Sequence, residues 1–207
     1  FSNIKVVSNK DVWLWGKNGC CRVRYVNGKP EAWKPDNEVL AEKNILFMFE
    51  DSLHRIWIGT KEELFRVENN QVISVRKGIT FWDVQEIGDE MYFVNESGLD
   101  IFSNQQSSFV SFIPITRTTK MEYVRSCLLN DGLLMLTTNR DLYLFDTKEK
   151  KLLPTESFFQ GKKMLRANFI MDNKGHVWVY NKTGILWRHH SNNTFEPLNL
   201  IPSEVLS

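Results

Sequence analysis

Short apolar runs alternate with Asn, Asp, Gly and Ser clusters along nearly the whole chain. No stretch of ten or more residues combines a 3.6-residue apolar period with capping signals. Arg117 to Leu129 comes nearest, but its Thr-Thr pair and β-branched residues favour extended chain. The pattern repeats. Asp51 to Thr60 and Asp172 to Asn181 each place an acid six positions before a tryptophan that sits between β-branched residues. Fainter copies are Asp11 to Gly16, Glu90 to Asn95 and Leu133 to Thr138. The anchors Trp13, Trp57, Tyr92, Met135 and Trp178 are 44, 35, 43 and 43 residues apart. Their mean spacing of about 41 matches a unit of four strands.

Six positions after each anchor come Gly19, Glu63, Gly98, Asp141 and Gly184, and then a further apolar run. Three of the five are glycine, which best tolerates a tight turn. A strand-like run also precedes each anchor: Ile4 to Val7, Ile45 to Phe49, Val84 to Ile87, Cys127 to Leu129 and Phe169 to Met171. A weaker fourth run closes most units, as in Gln71 to Val75, Ser108 to Phe112 and Thr194 to Leu198. Each unit therefore reads as four antiparallel strands, and the class is all-β. A single sheet of this size cannot bury both of its faces. Stacking sheets radially buries each against the next and shields most edges, which predicts a β-propeller. On this reading Trp57 and Trp178 are core side chains, each burying about 150–250 Å² between adjacent blades. The expected blades are 1–43, 44–82, 83–122, 123–164 and 165–200, with 201–207 opening a further repeat. About five blades are present, which either close alone or form part of a larger ring such as a seven-bladed one.

Laid out this way, the units resemble the two-component regulator propeller repeat, whose pattern runs acid-Asp-x-x-Gly-x-Ile/Val-Trp-Ile/Val-Gly-Thr-x-x-Gly-Leu. Glu50-Asp51 through Thr60 with Leu64 matches it well, and Met171-Asp172 through Asn181 with Gly184-Ile185 follows. The turn glycines are missing at Leu53-His54-Arg55 and at Glu63. A Trp82-Asp83 dipeptide does not recur at the blade period, which argues against a WD-repeat propeller. The resemblance implies the extracytoplasmic, periplasmic sensor region of a bacterial hybrid two-component protein. In that family tandem propellers precede a β-domain, a membrane helix, a histidine kinase, a receiver and a DNA-binding module. It implies that this segment is not itself an enzyme and takes no cofactor. Its partners would be a ligand, the remaining blades and the downstream domains.

Composition narrows the alternatives. The 207 residues carry 26 Lys and Arg against 25 Asp and Glu, a net charge of +1 with no basic block. Clustered positive charge for nucleic acid is missing. The longest wholly apolar run, Ile45 to Phe49, falls far short of the roughly 18–20 residues of a bilayer span. The N-terminus shows no basic segment followed by an apolar one, so an export signal would lie upstream of Phe1. Three cysteines make no closed disulfide framework.

Catalytic signatures are absent: no phosphate-binding glycine loop, nucleophile elbow or zinc-protease helix motif is present. Adjacent Cys20 and Cys21 should point to opposite faces, one buried and one partly exposed, and Cys127 should be a small core residue. His189 and His190 read as solvated strand-end residues, and no metal site is expected. Binding is the better prospect. In propellers the ligand face is built from the loops leading into the first strand of each blade and those joining its second and third strands. Here those lead-in loops hold Trp82 with Asp83, Tyr123 with Arg125, and Arg166 with Asn168. Aromatic rings stack on sugars while Arg, Asp and Asn give directional hydrogen bonds, so an oligosaccharide or related small molecule suits the set. The plainer reading is that Trp82 and Tyr123 merely cover the inner strands. Two rival functions are a protein-interaction scaffold and a propeller lyase or hydrolase. Uncovered sheet faces would also invite a homodimer.

Overall fold

The computed structural model describes residues 1–33, 39–115, 120–130, 132–182, 184, 186–190, 192 and 194–198. Two compact units divide between Phe112 and Ile113. The first unit contains a sheet of β1 (Asn3–Val6), β2 (Val12–Gly16), β3 (Gly19–Val26) and β4 (Lys29–Trp33). Next comes a sheet of β5 (Ile45–Glu50), β6 (Ile56–Thr60), β7 (Glu63–Glu68) and β8 (Gln71–Lys77). A third is made of β9 (Phe81–Ile87), β10 (Glu90–Asn95), β11 (Gly98–Ser103) and β12 (Ser108–Pro114), whose last strand reaches the division. The second unit holds β13 (Arg125–Asn130), β14 (Leu133–Thr137), β15 (Leu142–Asp146) and β16 (Lys151–Leu153). Its other sheet is β17 (Asn168–Met171), β18 (Val177–Tyr180), β19 (Leu186–His189) and β20 (Phe195–Pro197). Spatial order follows chain order in all five antiparallel sheets, and no α-helix occurs among the described residues.

The repeated acid is explained by the first turn of its sheet. Asp51 Oδ1 accepts the backbone N–H groups of Leu53 and Arg55 at 3.0 and 2.9 Å. Its Oδ2 takes Arg55 Nε at 2.6 Å and the Trp57 indole at 2.7 Å. Asp172 repeats the device on Lys174 and His176, and meets the Trp178 indole at 3.5 Å. One carboxylate thus holds the turn and aims the anchor, which fixes the six-residue spacing. Between second and third strands, Thr60 Oγ1 accepts the N–H groups of Glu62 and Glu63, and Thr138 Oγ1 those of Arg140 and Asp141. Asn95 Oδ1 does the same for Ser97 and Gly98.

Packing proceeds through the anchors. Trp57, wholly buried, meets Phe93 at 4.9 Å and Phe102 at 5.1 Å, tying the second sheet to the third. Beside it Gly59 has no room for a side chain, because a Cβ would lie 2.0 Å from the Phe47 ring. Trp13, Met48 and Phe65 share the core between the first two sheets. In the second unit Met135, Leu144, Phe159 and Trp187 form the core. An arginine lies across the strand pair from every tryptophan anchor, with guanidinium-to-ring distances of 5.8 Å (Arg22, Trp13), 5.6 Å (Arg66, Trp57) and 5.6 Å (Arg188, Trp178).

Several expectations need correction. Trp178 is only half-buried, and the core place in its sheet belongs to Trp187 on the neighbouring strand. Cys20 and Cys21 are both buried, the latter beside Leu14 on β2. His189 is buried against the Phe195 ring at 4.9 Å, and half-buried His190 reaches Glu196 at 2.8 Å, so neither is a solvated strand end. The third sheet begins at Phe81, which places Trp82 and Asp83 inside β9 and not in a loop.

Candidate functional site

In each unit, lead-in segments and second-to-third turns are bonded to one another. Gly19 N–H donates to Lys43 O at 2.9 Å, Thr80 Oγ1 to Lys61 O at 2.8 Å, and Arg166 N–H to Arg140 O at 2.8 Å. Each bond joins one sheet's turn to the segment leading into the next sheet. Glu96 N–H to Thr80 O and Asn139 N–H to Glu122 O, both 3.2 Å, close the same loops within a sheet. Lead-in and turn residues therefore share one end of each sheet. In the first unit that end has a concavity of about 410 Å³ lined by 41–44 and 60–62, where Lys43 and Glu62 pair at 3.3 Å.

Four of the six sequence candidates lie at this end of the second unit. Tyr123 is 74% exposed, and its φ of 53° turns the chain just before β13. Arg125 opens β13, crosses to β17 with its guanidinium 4.6 Å from the Phe169 ring, and donates to Phe169 O at 3.3 Å. Exposed Asn168, which opens β17, is the neighbour of that phenylalanine. Arg166, also in the left-handed region at φ 49°, is bonded through its backbone to Arg140. The structure thus brings Arg125 to the head of Asn168's strand and adds exposed Arg140, which the sequence reading missed. Its signal was the turn Asn139-Arg140-Asp141 following Thr138. Trp82 and Asp83 belong to the first unit. Both are half-buried, and Asp83 Oδ1 accepts the Val84 N–H at 2.9 Å.

At the opposite end, a cleft of about 680 Å³ opens between the first turns of the first two sheets. Asp11, 1% exposed, is held by Arg24 through two bonds of 2.7 Å, with Arg22 Nε at 3.5 Å. The Arg24 hydrogen bond, only partly opposed by burial, holds the Asp11 carboxyl below its ordinary range. Glu50 takes the Ser8 N–H at 2.8 Å and the Ser8 hydroxyl, and lies 3.4 Å from His54 Nδ1. Burial works against its ionisation, but the Ser8 bonds and His54 more than offset this and lower the Glu50 pKa. Ser8 Oγ also lies 3.0 Å from His54 Nδ1. These three do not form a nucleophile relay, which needs the acid on the far nitrogen of the histidine. Here Glu50 contacts the serine and the same Nδ1. Burial, then the adjacent Cys21, push the Cys20 thiol up to about 12. No cluster of three metal-ligating side chains occurs among the described residues.

No protein-family model matches the chain, and no curated protein sequence does. Among solved structures it is similar to the extracellular domain of a one-component system from B. thetaiotaomicron, with TM-score 0.71, 11% identity, 96% of this chain and 31% of that one. It is also similar to the extracellular domain of a hybrid two-component system from the same organism, with TM-score 0.69, 15% identity, 98% of this chain and 29% of that one. The Dos1 propeller aligns at TM-score 0.57 and 11% identity over 95% of this chain and 61% of its own. The fold is that of a β-propeller. The chain spans about a third of the length of the two bacterial extracellular domains. No helix among the described residues is long and apolar enough to cross a membrane.

Proposed function

We propose that this chain is a ligand-sensing propeller segment from the periplasmic region of a hybrid two-component signalling protein, recognising an oligosaccharide or related small molecule. The observation that carries the reading is the loop end of the second unit. There exposed Tyr123 supplies a ring face, and Arg125, Arg166 and Asn168 supply directional hydrogen bonds. Trp82 and Asp83 are the candidates of the first unit. The likeness to bacterial extracellular domains supports a sensing role over a catalytic one. The segment's partners in this reading are the ligand, further blades and the downstream domains, with no cofactor. A ligand biases the attached kinase, and hence phosphorelay and transcription, only as far as its affinities for two arrangements of the protein differ. Titration of the chain with host and plant oligosaccharides, by calorimetry, tests the reading. Binding of one glycan, weakened by Tyr123→Ala and by Arg166→Ala with unchanged thermal stability, is the expected result. Absence of binding to every glycan overturns it.

A further inference from the structure

At the first turns the second sheet sends Arg55 across to the third, while Asp11 holds the corresponding place in the first sheet beside an open cleft. The first turns correspond bond for bond: Val7 N–H donates to Asp11 O at 3.0 Å, as Asp51 N–H does to Arg55 O at 3.1 Å. Asp11 therefore stands where the second sheet has Arg55, each two residues before its tryptophan. Arg55 is anchored by Asp51 and crosses the seam to Asn104, in the turn just after β11. The shorter Asp11 cannot cross. Its carboxylate is held back by Arg24 and Arg22 from its own sheet, while Arg22 Nη1 reaches over to Asn70 Oδ1 at 2.9 Å. What remains is the cleft of about 680 Å³, well inside the roughly 300–1,000 Å³ of small-molecule sites.

We propose that this cleft is a second binding site, at the end of the sheets away from the lead-in loops, for a neutral, hydroxyl-rich ligand of mono- or disaccharide size. Charge balance sets the neutrality. The acids Asp11, Glu50, Asp51 and Glu68 are equal in number to Arg22, Arg24, Arg55 and Arg66, which pair with them or lie beside them, and Glu50 is bonded by Ser8 with His54 at 3.4 Å. A charged ligand would add an unmatched charge to a set already paired, at a desolvation cost. Directional capacity is left at the walls, where Arg24, half-exposed, and Asn70, bonded through Oδ1 to Arg22, face the cleft. Exposed Asn69 and Asn70 turn their chain at φ 50° and 64° and line the opposite wall. Exposed Leu53 gives an apolar contact for the C–H face of a sugar ring, with buried Val7, Ile56 and Val67 behind it. The site is independent of the sensing face, and a ligand here would bridge two sheets and stabilise their seam.

The test is calorimetric titration of the intact chain with xylose, glucose, galactose and cellobiose, with glucuronate as the charged control. Arg24→Ala removes one wall. Asn70→Gly removes an amide from the opposite wall while tolerating the left-handed backbone, and it serves if Arg24→Ala fails to fold. At least one neutral sugar is expected to bind and to raise Tm, each variant weakening it by about tenfold or more, with Tyr123→Ala and Arg166→Ala leaving it unchanged. No binding of any neutral probe overturns the proposal, as does glucuronate binding as tightly as the best of them. Binding lost in Arg166→Ala but kept in Arg24→Ala also overturns it, while sustaining the loop-end reading.

Discussion

Asp51 Oδ2 accepts the indole proton of Trp57 at 2.7 Å and, on the same oxygen, the Nε proton of Arg55 at 2.6 Å. All three side chains are buried. The carboxylate neutralises the guanidinium that crosses the seam to Asn104 and orients the ring that packs on Phe93 and Phe102. Asp51→Ala would strand a buried cation and an indole N–H. A loss of about 3–5 kcal/mol in denaturant unfolding is expected. Asp172→Ala, at the equivalent but more open turn, is expected to cost clearly less.

Gly59 is required by a close approach. Its backbone φ is unremarkable, but the Phe47 ring occupies the space where a Cβ would stand. Gly59→Ala is expected to destabilise by about 1–3 kcal/mol through overpacking. Phe47→Leu in the same chain should recover part of that loss, so the two changes add non-linearly in a double-mutant cycle.

Glu50 gives the seam a defined pH response. Its folded pKa lies below its unfolded one, because the Ser8 hydroxyl and amide outweigh burial. Its contribution is therefore full above the ordinary glutamate value of about 4.3 and disappears as pH falls through the lower folded value. Thermal unfolding of the wild type and Glu50→Gln across acid and neutral pH should show the largest gap in Tm near neutrality. The gap should close below that folded value. A gap that widened on acidification would contradict the assignment.

The legible part of this fold is what lies within one turn or one strand pair. The acid-six-tryptophan spacing could be read because Asp51 serves both the turn and the indole within seven residues. The clasps between sheets could not. Ser8 and Glu50 are 42 residues apart, and Ser52 and Glu86 are 34 apart, with nothing local to connect them. A fourth strand was expected in every unit, but β4 and β16 could not be located because exposed edge strands need no apolar alternation: Lys29-Pro30-Glu31-Ala32 is exposed throughout. Trp178 matched Trp57 in pattern, but burial depends on a neighbour that a repeat register does not specify. At the candidate site, Tyr123 and Arg166 lie before a strand as expected, while Arg125 and Asn168, also expected in the lead-in loops, are the first residues of β13 and β17. Trp82 was misplaced because β9 starts three residues earlier than the apolar run at Val84 suggested. Arg140 could be read as a turn residue after Thr138, but its backbone bond to Arg166 joins segments far apart in the chain and could not.

The Thr60 and Thr138 turns offer a paired measurement. Each hydroxyl accepts two backbone N–H groups, and each donates to a carbonyl, Glu63 O at 2.9 Å and Asp141 O at 3.1 Å. Valine keeps the shape but strands those donors, so Thr60→Val and Thr138→Val should each cost about 1–3 kcal/mol. Thr60→Ser retains the oxygen and should recover most of the loss.

The three cysteines give a probe of unfolding that needs no engineering. Cys20, Cys21 and Cys127 are free and buried. Alkylation requires a thiolate, and burial pushes the Cys20 thiol up to about 12, so at about pH 8 it is almost wholly protonated as well as inaccessible. Iodoacetamide added to the native chain is expected to label Cys20 only through opening of the first sheet, at a rate that rises with denaturant as the seam is lost. Because Arg55→Ala would remove a bond across the seam between the second and third sheets, it should speed labelling less at Cys20 than a change in the first sheet such as Trp13→Ala. Mass spectrometry of the labelled peptide separates the two. Rapid labelling of Cys20 in the native chain, without denaturant, would show that the first sheet is not closed over its third strand.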